Sequence, residues 1–206
     1  MVHRCMLGKY IIASIIAVLV VALGTGLILR GVRLLPKPQE PVVQQPTTAV
    51  YSTSTFSVTY PLSFTVDSNY AYEGVPKKKI GGVKFTIPGA MATGTNLSTD
   101  TYISVESLPR AKNCTGDIYL YQNVKPVDMT IGSSTYSVAT TTGAAAGNLY
   151  EEQVFALQGS VPCTAVRYYI HSGNIGNYPQ GTVREFDKST LLSVFDTIRN
   201  SLHFNQ

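Results

Sequence analysis

From Tyr10 to Leu29 the chain reads YIIASIIAVLVVALGTGLIL, without one charged side chain. As a helix this run rises about 30 Å, the thickness of a bilayer's hydrocarbon core, and in water it would need apolar partners on every side. Lys9 and Arg30 bracket it where long basic side chains reach headgroups, and Tyr10 stands at the edge that amphipathic rings prefer. We read residues 10–29 as an uncleaved transmembrane signal anchor with membrane lipid as its partner, and 1–9 as a short cytoplasmic segment. The competing reading is a signal peptide cleaved after Gly24; against it, the apolar run continues through Leu27, Ile28 and Leu29, beyond the usual length of such a run. Ala13, Ala17, Ala22 and Gly26 have the spacing of a helix–helix contact face, the basis of a reading as a structural or assembly subunit.

Charge divides the chain at the same place. Arg4, Lys9, Arg30, Arg33 and Lys37 give the first 37 residues +5 with no acid, so of 16 basic and 12 acidic side chains the remainder holds 11 and 12. A nucleic-acid reader needs a basic surplus to displace counterions from phosphates, and the rest of the chain has none; no nucleic-acid partner is expected. Residues 30–50 form a Pro-rich linker, and PKPQEPVVQQPTTAV at its end favours extended polyproline II, a spacer of about 3 Å per residue. The positive-inside count is nearly tied across the anchor and leaves orientation open. Cysteine usage helps: Cys114 and Cys163 are the two thiols beyond the anchor, an even pair of the kind that becomes one disulfide in an oxidising compartment, the alternative being two unrelated buried thiols in a reducing one. The expected location is the cell membrane, single-pass, with an extracytoplasmic domain over 51–206.

That domain reads mainly as strands. Phe56, Val58 and Tyr60 alternate with Ser57 and Thr59, and Phe64 and Val66 resume the pattern after Pro61, which reads as a hairpin. Alternation recurs in GVKFTIP and TYISVES, and further strands are expected at 135–141, 149–157 and 164–171, with GAAAG at 143–147 as a connection. Residues 116–122 fit either a strand or a short helix. Over 188–202, Leu191, Val194, Phe195, Ile198 and Leu202 recur at helical steps behind Asp187, a suitable cap. A helix with one apolar stripe must cover a sheet, so the fold class is α+β, a mostly antiparallel β-sheet packed against a C-terminal helix.

FSVTYP at 56–61, the FTIP strand, and the finish in an amphipathic helix running into Leu202 and Phe204 resemble the PsbP-like fold. That fold occurs in the extrinsic photosystem II protein and in many small exported or anchored bacterial proteins. VKFTIP, CTAVRYYIHS and IGNYPQGTVREFD resemble stretches of uncharacterised exported bacterial proteins. The resemblance covers about 51–206 and implies an accessory or binding role, with no family site residue to carry over.

Groups suited to catalysis are sparse. His3, His171 and His203 and the three cysteines form no CxxC or HxxxH spacing, so no metal and no cofactor is expected. Cys163 and His171, eight residues apart on one strand, would stand about 26 Å apart and cannot act as nucleophile and base. Glu151 and Glu152 point to opposite faces of a strand; one of them is expected to pair with Arg167 on a neighbouring strand. Lys77, Lys78, Lys79 and Lys84 form the domain's local basic cluster, read as a solvated loop or as a contact for anionic lipid or an acidic polymer. SGNIGNYPQG, with Gly173, Asn174, Gly176, Asn177, Tyr178 and Gly181, is a candidate binding loop, and Tyr178–Pro179 a candidate cis bond. Asn96 and Asn113 open formal glycosylation sequons.

The leading expectation is a membrane-anchored extracytoplasmic binding or accessory domain without enzymatic activity, its partner an envelope protein or glycan. A small cell-envelope hydrolase built from Glu152, Arg167 and His171 is the alternative, and requires those three side chains to meet in one pocket.

Overall fold

The computed structural model describes residues 46–205. Residues 10–29, read above as an anchor with a small-residue face, and nearly all of the Pro-rich stretch lie outside the described residues. Within them, no helix is long and apolar enough to cross a membrane.

The domain is α+β. Strand β1 (Thr48–Ser52) takes in the last residues of the Pro-rich stretch and pairs antiparallel with β2 (Phe56–Pro61). Strands β3 (Thr65–Asp67) and β4 (Ala71–Val75) lie along one edge of β5 (Lys78–Thr86), and β6 (Tyr102–Leu108) along the other. A short helix, α1 (Gly89–Ala92), joins β5 to β6. Then follow β7 (Val127–Ile131), β8 (Ser134–Ala145), β9 (Asn148–Leu157), β10 (Cys163–Gly173), helix α2 (Lys188–Asn200) and β11 (His203–Phe204). One eight-stranded antiparallel sheet runs β3-β5-β6-β10-β9-β8-β7 with β4 beside β5; a three-stranded sheet runs β1-β2-β11.

The hairpin expected from 56–66 does not form. β2 pairs with β1 and β11, while β3 joins the large sheet through β5. Pro61 ends β2, and the tight turn in which Phe64 N–H bonds the Pro61 carbonyl sends the chain from one sheet to the other. Alternation specifies which face a strand buries but not which strand it meets. The GAAAG stretch does join two strands, and more tightly than expected: only Ala146 and Gly147 leave the β8–β9 ladder, both at positive φ, as a two-residue hairpin turn requires. Residues 116–119 form a 3-10 turn. The cis peptide is Val161–Pro162, not Tyr178–Pro179.

Helix α2 begins where Asp187 accepts the Thr190 N–H at 3.0 Å. Bonds from Ser189 and Thr190 hold the Asp187 carboxyl at about 2, below its ordinary value. Leu191, Phe195 and Ile198 are fully buried against Phe155, Val166 and Tyr168 of the large sheet, with the small sheet contributing Val58 and Tyr60 to the same core. Phe195 and Tyr168 rings lie 5.2 Å apart. Register places Arg167, Tyr169 and His171 on the face away from α2. There a second, smaller core of Ile80, Tyr119, Leu120, Ala139 and Val154 forms under the 112–124 segment and β4. Both faces of β6 and β10 are therefore covered where the sheet is thickest, and a polar residue on either face of these strands must find its partners inside the protein.

Candidate functional site

The largest polar group of the second face is centred on Arg167 of β10, fully buried between β6 and β9. Its Nε donates to Glu106 Oε1 at 2.8 Å, and one terminal nitrogen donates to Glu106 Oε2 at 2.9 Å and to the Tyr119 carbonyl at 2.8 Å. The other terminal nitrogen meets Glu152. The guanidinium lies 3.5 Å from the Tyr72 ring centre, and the Tyr72 hydroxyl donates to Glu152 at 2.9 Å. Ser104 donates to Glu106 at 2.8 Å. Burial alone would lower the Arg167 pKa; the Glu106 carboxylate, with help from Glu152, outweighs it and holds the pKa above its ordinary value.

This arrangement positions side chains. Arg167 engages both carboxylates at once. Glu151, as the pleat demands, points the other way and accepts from Lys188 of α2 at 2.5 Å. His171 does not join Glu152 and Arg167. It lies four residues along β10 from Arg167, about 13 Å on the same face, with its Nδ1 2.7 Å from Asp100 and its ring stacked on Tyr150 at 4.5 Å. Its Nε2 is buried with no hydrogen-bond partner among the described residues, so no hydroxyl or thiol there stands ready as a nucleophile. The three side chains of the hydrolase reading thus fall into two groups. Cys163 is bonded to Cys114 with the S–S distance 2.12 Å.

The aromatic residues of this face mostly use each other. Tyr102 and Tyr169 stack at 4.8 Å and 16°, leaving little open ring face for a ligand. Burial, with Glu106 beside them, raises the pKa of Tyr70 and Tyr119; burial raises those of Tyr72, Tyr102 and Tyr168 as well. Burial, followed by Asp100, pushes Tyr169 to about 12. These phenols keep their protons in the folded state at a pH where the unfolded chain, with tyrosines near 10, has lost them. Stability should therefore be level in this respect below about pH 10 and fall as pH rises beyond it. Urea unfolding from pH 8 to 11, with tyrosinate absorbance followed alongside, checks this; unchanged stability at the alkaline end would contradict it.

The glycine-rich loop is tied down by its own polar groups. Asn174 N–H and the Asn177 side chain both donate to the Gly147 carbonyl of the β8–β9 turn at 2.9 Å, and Asn174 Oδ1 accepts from Gly176 at 3.0 Å. A Cβ at Gly173 would meet the Tyr178 hydroxyl at 2.3 Å, so that glycine makes room for Tyr178; Gly181 turns the chain at φ +78°. Asn96 is buried, donating to the Gly173 carbonyl and accepting from Phe186, and offers no free amide to a glycosyl donor.

A second constellation lies at the other end of the sheet. A cleft of about 580 Å³ opens between the start of β5 and the segment after β6, lined by Lys78, Lys79, Arg110, Lys112 and Asp117. Lys78 donates to the Ile118 carbonyl at 2.6 Å, and burial lowers its pKa against the pull of Asp117. Lys79 pairs with Glu73 on the surface, a contact of little energy. Arg110 and Lys112 are exposed and make no ion pair or side-chain hydrogen bond among the described residues. The disulfide pins this segment to β10 at Cys114, and Gly116 lets it approach β8 closely: a Cβ there would meet the Ala139 nitrogen at 2.7 Å. The sequence singled out Lys77, Lys78, Lys79 and Lys84, of which Lys84 lies elsewhere beside Asp67, and missed Arg110 and Lys112, thirty residues on. The antiparallel pairing of β5 with β6 and the position of Cys114 bring them together.

No known protein family and no curated protein sequence matches the chain. Among solved structures it is similar to a Bacteroides thetaiotaomicron protein at 12% identity and a TM-score of 0.42, covering 79% of this chain and 50% of that one. The chain thus spans half the length of that protein. It is also similar to the solution structure of cyanobacterial PsbP (CyanoP) from Synechocystis, at 14% identity and a TM-score of 0.33, covering 83% of this chain and all of that one.

Proposed function

We propose that the protein is a membrane-anchored binding or accessory module, held by residues 10–29 and displaying its folded domain outside the cytoplasm. The observation that carries the binding role is the cleft at Lys78, Lys79, Arg110 and Lys112, where cations gather in a domain that otherwise pairs or disperses its charges. The uninterrupted apolar run and the Pro-rich spacer support the anchorage. The Cys114–Cys163 bond supports an oxidising compartment. A Val127→Cys variant in a Cys5→Ser background tests the location, because Val127 is 66% exposed on the edge strand β7. Labelling by a membrane-impermeant maleimide on intact cells is expected; protection until the cells are lysed would overturn the location.

A further inference from the structure

We infer that the cleft between β5 and the disulfide-pinned segment binds an acidic polysaccharide of the envelope space, its carboxylate or phosphate groups on the cations and a hydroxyl on Asp117. The inference rests on the proposed binding role and names the ligand class of that site.

Charge is the first argument. Of the 16 basic and 12 acidic side chains, five basic ones and Glu40 precede residue 46, so the domain is electrically balanced. The cleft holds Lys78, Lys79, Arg110 and Lys112 against Asp117 and, beside Lys79, Glu73, a local +2, and the rest of the domain therefore carries −2. Such separation costs self-repulsion within the cleft and is relieved by an anionic ligand. Two other large hollows among the described residues lack it. The one of about 840 Å³ near Pro162 has no charged lining residue, and in the one of about 530 Å³ near Tyr150 the single cation, Lys188, is engaged by Glu151.

Asp117 is the second argument. Its Oδ1 is buried without a hydrogen-bond partner among the described residues, in the lining of a cationic cleft. A buried carboxylate oxygen requires a donor, and an anion alone supplies none. A ligand that presents hydroxyls beside its anionic groups satisfies both, which describes an acidic sugar polymer better than a bare polyanion.

Position is the third. The chain enters the domain at Pro46, where Thr47 bonds Leu62 and the following turn leads to Thr65, paired with Thr86 at the far end of β5. The cleft lies at the Lys78 end of that nine-residue strand, about 27 Å away. The chain's entry and the cleft are thus at opposite ends of the sheet, so the strand that enters the domain does not cover the cleft.

The test uses the full chain in phosphatidylcholine nanodiscs, probed with polygalacturonate, polyphosphate, dextran, and vesicles of equimolar phosphatidylglycerol and phosphatidylcholine. Polygalacturonate should bind in a salt-dependent way and dextran should not. Arg110→Glu with Lys112→Glu should weaken binding about tenfold or more and flatten the dependence of log Kd on log salt by about one unit per cation removed. Neither side chain has a partner among the described residues, so unchanged thermal unfolding is expected. Asp117→Asn should narrow the preference for polygalacturonate over polyphosphate. Equal or stronger binding of polyphosphate, or vesicle binding that the double variant abolishes, would overturn the inference while leaving a binding role in place. Failure of every probe would overturn both.

Discussion

Arg167→Met should destabilise the domain by about 3–5 kcal/mol, because it leaves Glu106 and Glu152 facing each other without their cation. Glu106 and Arg167 are wholly buried and the Glu152 side chain is 14% exposed, so little water reaches the site to take over the lost interaction. Domains of this kind are stable by about 5–15 kcal/mol, so the variant loses a large part of the margin. Urea unfolding followed by tyrosine fluorescence measures the loss. Adding Glu106→Gln should return part of it, since a neutral amide no longer repels Glu152. A loss below about 1 kcal/mol would mean that water or rearrangement satisfies both carboxylates, and the network would not be a structural centre of the fold.

Replacing Cys114 and Cys163 together by serine should cost about 4 kcal/mol in the chain-entropy account, given a sequence separation of 49. For a domain of this size that is about 8–16 °C in Tm. Scanning calorimetry of the variant against the oxidised protein checks the figure. The same change releases the segment that carries Arg110 and Lys112, so polygalacturonate binding should weaken even at temperatures where the variant remains folded. A variant that unfolds within 2 °C of the parent would show that the second core, through Tyr119 and Leu120, holds the segment without the covalent bond.

The ion-pair centre was half legible. Opposite faces for Glu151 and Glu152 follow from the two-residue period of a strand, and the structure places one against Lys188 and the other against Arg167. Glu106 and Tyr72 were not legible. In TYISVES, Ile103 and Val105 mark one face as buried, which leaves Ser104 and Glu106 for solvent unless both faces are covered. β6 sits between β5 and β10 under a second layer, and that layer comes from residues 70–75 and 112–124, whose own patterns say nothing of where they dock. His171 and Arg167 look like partners in a linear reading because both are polar on one strand; four residues of strand separate them by more than any side chain can bridge.

By itself the sequence determined the features that depend on local periodicity and composition. These are the apolar run at 10–29, the strands around Val83 and Phe85 and around Ile103 and Val105, the helix from Lys188 capped by Asp187, and the even pair of thiols. Each is a property of consecutive residues, where a side chain's direction is set by the backbone repeat. Only the tertiary structure decided which strands pair, that β2 and β3 belong to different sheets, and that Lys78, Arg110 and Asp117 share one cleft. Those depend on contacts between residues tens of positions apart. Strand partners are chosen by how two faces bury together and by where a turn or a disulfide releases the chain, and neither is written in any single stretch of it.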